Sequence, residues 1–591
     1  MNAVLTQPAP GGGPHLQGEP PDRTPNWVRL GLFFVLSVYV LYSSFGIAGP
    51  YLWGHFGYHG ATYVLRARMT LRFHLLTPAT WPGFVLPPLP QSFYFHHPIG
   101  YHHLLVPFLW LFGDHEWVAR AVAAGGGLLC LGALYALTKR HFGAPAGLLA
   151  TAVYVGLPIV GSFSTLSDPM LLAMACCLVT ADAYVQYLRE PTRRWLWQGC
   201  AGLVLGGLLM WESYFQAFFL GAHALVLIFV GRRLRPVVTR RTPIVWFVAT
   251  FFASSLTMAF HFLLMWKKGA FADFLTSYQS RHSASFEYAK AQHIKWLLLL
   301  YGKPLLWLGG AWLVGFVLRL LRGKTRRRDV LVLLFFLINT LYIALFPSAS
   351  AIHLYRVFFY SSFLALAVAD LALDLHSFLR WITTYVAESQ QALAQRIPVV
   401  VTVVLLLAYF ATVGPHTYRN VLESRVLMGT HGQPGYDPQY EKLRFAQEAS
   451  RRSTKEVCFA AFNLPHRIEF EYYLDRSFCM PQTWGNLATL AQVPQLQREH
   501  PNMILVLDSQ LAGEERRLLI ELLRQHPGYL YGTYLLVDLG QHGAGLTEYR
   551  FAKQRPSWAW RWLVSHQYPP LLPVPHQSPH GQRLRADLSG S

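Results

Sequence analysis

Long apolar runs separated by short, mostly basic connections dominate the first 414 residues. A membrane-crossing helix needs about 20 mainly apolar residues. Eleven stretches fit: 28–49, 116–138, 144–162, 168–187, 195–211, 213–230, 243–266, 297–318, 330–347, 354–375 and 397–414. Polar residues such as Asp182 and Glu212 interrupt the fourth and fifth boundaries. Between the first two stretches, Tyr63, Val64, Ala67, Leu71 and Leu75 recur at helical spacing, with Arg66, Arg68 and Arg72 elsewhere. That pattern predicts an amphipathic helix over 61–74 lying in the interface. After residue 415 the pattern shortens. Strand-like runs at Val457–Phe462, Met503–Leu507 and Tyr529–Val537 alternate with helical stretches near 438–451 and 513–526, as in a small α/β domain.

The fold class is therefore mainly α: a polytopic transmembrane helix bundle of about 11 spans with a C-terminal extracytoplasmic α/β domain. The expected divisions are a disordered cytoplasmic tail (1–27), the transmembrane domain (28–414, with a long outer loop at 50–115), the α/β domain (415–555) and a flexible tail (556–591). Composition agrees. Hydrophobic residues make up 53% of the 591 and charged residues 14%, against roughly 25% charged in soluble proteins. The formal charge of +20 does not form a basic stripe on a polar domain, which argues against nucleic acid as a partner. Residues 1–26 lack the pattern of a cleavable signal peptide. One set of connections carries 18 Lys and Arg, the alternate set eight. The positive-inside rule puts the richer set in the cytoplasm. The chain is then integral to the plasma membrane, with its N-terminus cytoplasmic and its C-terminal domain outside.

The outer loop holds seven His before Leu104, namely His55, His59, His74, His96, His97, His102 and His103, and no Asp or Glu between Gly46 and Gly113. Imidazole binds metals and titrates near neutrality. It is also at home at a wet interface, and no HExxH-type spacing is present. Ionisable residues gather at the predicted outer ends of helices: Asp114 and Glu116, Asp168, Glu212, and the string His353, Tyr355 and Arg356. At membrane depth such groups are functional candidates, although Asp168 before Pro169 and Met170 also suits an N-cap. Four Cys (130, 176, 177 and 200) fall in apolar helices and suit packing. Cys458 and Cys479 fall in the polar region, where a disulfide between them is left open.

Several strings together resemble C-type (GT-C) integral-membrane glycosyltransferases, in the bacterial branch related to protein O-mannosyltransferases and lipid A aminoarabinose transferases. They are GYHGATYVLRARMTLRFHLL, HHPIGYHHLLVPFLWLFGDHEWVARAV, LSDPMLLAMACCLVTADAYVQYLRE, the WES turn and HLYRVFFY, within residues 28–414. The resemblance implies a polyprenyl-phosphate-sugar donor and a glycan, lipid or protein acceptor on the outer face. It also implies inversion at the anomeric carbon and a carboxylate base in the first outer loop. Gly57, Tyr58 and His59 stand where that acidic residue is expected. Three alternatives follow: His59 or His55 is the base, Asp168 is, or the protein is an inactive relative with a binding or assembly role. A transporter is the rival class, but no internal repeat is visible. His59, Asp168 and His55 are the catalytic candidates. Arg66, Arg356, His353, Glu212 and His97 are the substrate- and phosphate-binding candidates. A divalent metal is left open as cofactor, and the oligomeric state is not indicated.

Overall fold

The computed structural model describes residues 24–44, 55–78, 97–164, 166–234, 241–280, 286–352 and 354–386, short stretches and single residues elsewhere, and the elements of a C-terminal sheet up to 539. Helix α1 (Asn26–Ser44) opens the chain, followed by α2 (His55–Phe73) and α3 (Gly100–Phe112) in the long loop. Then come α4 (Glu116–Phe142), α5 (Ala144–Gly156), α6 (Pro158–Phe163), α7 (Met170–Arg189), α8 (Arg193–Leu209), α9 (Glu212–Leu234) and α10 (Arg241–Lys267). The series ends with α11 (Phe271–Ser280), α12 (Phe286–Leu321), α13 (Arg327–Leu345), α14 (Pro347–Ile352), a 3-10 turn at Leu354–Val357 and α15 (Tyr360–Val386).

Among the described residues, eight helices are long and apolar enough to cross a membrane, and α5 is apolar but shorter. Pro158 divides the expected span 144–162 into α5 and α6, because proline cannot donate to the preceding turn. Gly302, at φ 73°, kinks α12 just before Pro304. The tenth expected span is a 3-10 turn followed by α15, which runs on to Val386. The eleventh, 397–414, falls outside the described residues except for single positions such as Tyr409, whose hydroxyl donates to Val153 O of α5 at 2.9 Å.

Helix α7 is the buried centre of the bundle. Glycines let its neighbours approach: Gly202 and Gly206 of α8 lie against Thr180 and Cys176 of α7, where an added Cβ would meet Oγ1 of Thr180 at 2.3 Å. Small residues at such spacing bring membrane helices close. At one end of the bundle, arginines tie α12, α13 and α15 together. Arg326 pairs with Asp370 at 2.5 Å and with Asp374 at 2.6 Å, Arg319 with Asp329 at 3.0 Å, and the Trp312 indole donates to Asp370 at 2.9 Å. Asp329 and Asp370 are the buried charges here, and each has an arginine partner.

At the other end sits a five-stranded sheet in the order β2-β1-β3-β5-β4, made of β1 (Cys458–Phe462), β2 (Ser477–Phe478), β3 (Met503–Asp508), β4 (Gly528–Tyr531) and β5 (Tyr534–Asp538). Strands β2, β1 and β3 are parallel, whereas β5 runs antiparallel to both β3 and β4. Helix α16 (Gly513–Gln525) connects β3 to β4. The single strand expected at 529–537 is two antiparallel strands, β4 and β5, with Tyr531 paired to Tyr534. The expected Cys458–Cys479 question falls on side chains outside the described ones.

Candidate functional site

Three ionisable residues from distant parts of the chain meet at the sheet-bearing end of the bundle. Glu212, the first residue of α9, and Arg356, in the 3-10 turn before α15, form an ion pair of 3.0 Å. Their side chains are only 3% and 2% exposed. The Arg356 guanidinium also lies 4.8 Å from the centroid of the Tyr342 ring. Asp168, buried in the connection before α7, feels the charges of both Arg356 and Glu212. Its Oδ1 accepts the Met170 N–H at 2.8 Å, so the expected capping contact is present. Burial nevertheless dominates and raises its carboxyl to about 7, with the Met170 hydrogen bond and Arg356 pulling the other way.

The long loop packs onto this cluster through α3. The Tyr101 hydroxyl lies 3.5 Å from Ser167 Oγ, beside Asp168. Tyr101 and His102 in turn pack on Tyr63 of α2, with ring centroids 5.3 and 5.0 Å apart. Burial and then the charge of Arg66 hold the His102 imidazole well below its usual range, so it is neutral. His59, Tyr63 and Arg66 are four and three residues apart, which puts them along one face of α2. That face is turned to α3, and α3 to Asp168.

The loop can close this way because of Gly100. A Cβ there would lie 2.6 Å from the Leu208 carbonyl oxygen at the end of α8. That neighbour is backbone and cannot rotate aside. Gly100→Ala should therefore displace α3 and cost about 1–3 kcal/mol, the usual penalty of overpacking. Thermal unfolding of the purified protein measures this, and an unchanged midpoint would show that α3 is not held there.

The candidates fare unequally. Asp168, Glu212 and Arg356 come together, and Arg66 and His59 lie on the α2 face that reaches them through α3. His97 is buried just ahead of α3. The side chains of His55 and His353 fall outside the described residues. Asp114 and Glu116, grouped by sequence with the outer polar set, are engaged instead by the sheet domain and by Arg68: Arg68 pairs with Asp114, and the Tyr472 and Tyr473 hydroxyls donate to Asp114 and Glu116 at 3.2 and 2.9 Å. Sequence reasoning did not single out Tyr101 or Ser167. The Gly100-Tyr101 pair in the middle of the HHPIGYHH string was the available sign. Among the described residues no group of three His, Cys, Asp or Glu is placed to hold a metal ion. Glu212 is paired with Arg356 through Oε1, and Asp168 accepts a backbone N–H through Oδ1, so one oxygen of each carboxylate is already engaged.

Residues 96–266 match the family model of dolichyl-phosphate-mannose-protein mannosyltransferases. Comparison with curated proteins finds no match. Among solved structures, ArnT from Cupriavidus metallidurans bound to undecaprenyl phosphate is 16% identical, with a TM-score of 0.51 over 88% of this chain and 99% of that one. The same protein in the apo state gives a TM-score of 0.54. The archaeal oligosaccharyltransferase AglB from Archaeoglobus fulgidus, in complex with an inhibitory peptide and a dolichol-phosphate, is 12% identical. Its TM-score is 0.54 over 87% of this chain and 74% of that one. The protein is an integral membrane protein with the fold of the C-type membrane glycosyltransferases.

Proposed function

We propose that the protein transfers a sugar from a polyprenyl-phosphate carrier to an acceptor at the sheet-bearing face, and that this face is extracytoplasmic. The observation that supports it most is the meeting of Asp168, Glu212 and Arg356 where α3 packs over the bundle of a glycosyltransferase fold. Arg356, with Arg66 on α2, supplies guanidinium groups suited to a phosphodiester, since their planar donors match two phosphate oxygens. Asp168 is the base. A carboxyl raised to about 7 is available to take the acceptor hydroxyl's proton at working pH. It occupies the role left open by the loop, which has no Asp or Glu from Gly46 to Gly113. His59 orients the acceptor or shares that proton. Glu212 keeps Arg356 in place. The structures bearing undecaprenyl phosphate and dolichol-phosphate support the carrier class, because those folds bind polyprenyl phosphates.

The test is transfer in proteoliposomes from polyprenyl-phosphate-linked sugars, comparing wild type, His59→Ala and Asp168→Asn. Loss in Asp168→Asn and partial retention in His59→Ala supports the assignment. The reverse makes His59 the base. A wild type that transfers nothing from any such donor favours the inactive-relative reading, in which the missing loop carboxylate is decisive.

The orientation follows from the 18 basic residues on one set of connections against eight on the other. Protease added to intact spheroplasts is expected to cut the region after 415 and leave the arginine-rich connections intact. Protection of that region would reverse the membrane sidedness and with it the proposed outer-face reaction.

A further inference from the structure

The sheet domain grips α2 on the side opposite His59. Just ahead of β2, a helical turn at 472–474 carries Tyr472 and Tyr473. The Tyr472 carbonyl accepts from Arg68 Nη1 at 2.9 Å, and the Arg68 guanidinium lies 4.2 Å from the centre of the Tyr472 ring. Arg68 also pairs with Asp114, which accepts from the Tyr472 hydroxyl at 3.2 Å. The Tyr473 hydroxyl donates to Glu116 at 2.9 Å and accepts from the Tyr51 backbone N–H at 2.6 Å. Tyr51 completes the path back to α2. Its ring packs edge-on against Tyr472 at 5.2 Å, and a Cβ on Gly60 would sit 2.7 Å from its Cε1. Arg120 of α4 covers the other side of Tyr51, with its guanidinium 4.8 Å from the ring centre.

Two points of α2 are thus fixed from outside: Gly60, next to His59, and Arg68, two residues beyond Arg66. Along the axis they are about 12 Å apart. At 100° per residue, Arg68 points away from the face shared by His59, Tyr63 and Arg66. One side of the helix therefore faces α3, which packs on Ser167 beside Asp168, while the other is held to the start of α4. Burial and the neighbouring carboxylates hold both phenols well above their usual range, so they stay neutral donors throughout the physiological window. Arg68 and Arg120 match Asp114 and Glu116 in number and opposite sign at this junction.

We propose that Tyr472 and Tyr473 are positioning residues: they clamp α2 between the sheet domain and α4, and so set where His59 and Arg66 stand over the Asp168 cluster. The inference rests on the transferase reading for its consequence, but its physical core does not. The contacts of both tyrosines are with Arg68, Asp114, Glu116 and Tyr51, not with the Asp168 cluster. Both act through α2.

The experiment uses the full chain in lipid nanodiscs. Tyr473→Phe removes the hydroxyl that serves Glu116 and Tyr51 while keeping the ring, and Glu116→Ala removes its acceptor. Hydrogen exchange in peptides covering 60–69 should speed up about tenfold in each variant, with α7 unchanged. The double variant should be no faster than either single one, because residues of one network are not additive. Affinity for an added polyprenyl phosphate should fall about tenfold in parallel, and transfer from its sugar-linked form should fall with it. Unchanged exchange at 60–69 in both variants overturns the clamp, whatever the transfer activity. Faster exchange with unaltered polyprenyl-phosphate affinity overturns the positioning role and leaves a docking contact only. If the wild type transfers nothing, the exchange and binding measurements still decide the clamp, and only the transferase reading fails.

Discussion

Transfer by an Asp168→Asn variant is expected to fall roughly 10²–10⁴-fold, the loss that follows removal of a general base. Asparagine keeps the size of the side chain and an oxygen for the Met170 N–H, now 2.8 Å from Asp168 Oδ1. The start of α7 should therefore persist, and an unchanged unfolding midpoint would assign the loss to chemistry. If Asp168 were only a cap, the variant would keep its rate and change stability by about 1 kcal/mol or less. The pH dependence is a second, independent reading. Burial holds the carboxyl near 7 against the pull of Met170 and Arg356, and a base works only once deprotonated. Wild-type transfer should rise about tenfold per pH unit below that value and level off above it. The same limb should survive in His59→Ala and vanish from whatever residual activity Asp168→Asn retains. Stability moves the other way. The folded chain keeps this proton above the ordinary value of 3.8, where the unfolded chain has released it. Asp168 therefore favours the folded state at low pH, and that contribution disappears as pH rises through about 7. A wild-type rate that is flat across neutrality would remove Asp168 from the chemistry.

The helical part of this fold was readable because membrane helices announce themselves: the bilayer demands long apolar stretches, and the glycines and arginines that punctuate them are visible one residue at a time. The breaks at Pro158 and Gly302 were less legible. An apolar run looks the same whether it crosses straight or bends, and only the proline or the positive-φ glycine inside it marks the difference. In the site, Asp168, Glu212 and Arg356 were suggested by charge at predicted helix ends. Their meeting joins α9 to the turn before α15, 144 residues apart, and no local pattern encodes such a pairing. Asp114 and Glu116 carried the same local signal and went elsewhere, because Tyr472 and Tyr473 reach them from more than 350 residues away. An acidic residue at a helix start looks alike whether it serves a substrate or a neighbouring domain. Tyr101 was hidden for another reason. Its importance comes from Gly100 fitting under Leu208, a steric fact that only the packed chain contains.

The Glu212–Arg356 pair separates stability from function most sharply. Both side chains are nearly inaccessible, so Arg356→Met should take the guanidinium away from the buried Glu212 carboxylate and cost about 3–5 kcal/mol of stability. Restoring neutrality with Glu212→Gln in the same chain should recover most of that loss, since replacing both members of a buried pair is often close to neutral. Activity should not recover with it. Arg356 supplies the positive charge proposed for the donor phosphate, and methionine offers none. Arg356→Lys should behave differently again. It keeps the charge that balances Glu212, so the fold should hold. It loses the planar pair of donors and the stacking on Tyr342, so the KM for the polyprenyl-phosphate donor should rise about tenfold with a smaller change in kcat. Thermal unfolding and donor titration on the three proteins, side by side, give the answer. A stable double variant with wild-type transfer would show that Arg356 serves the fold alone, and the phosphate would then have to be held by Arg66 and the rest of α2.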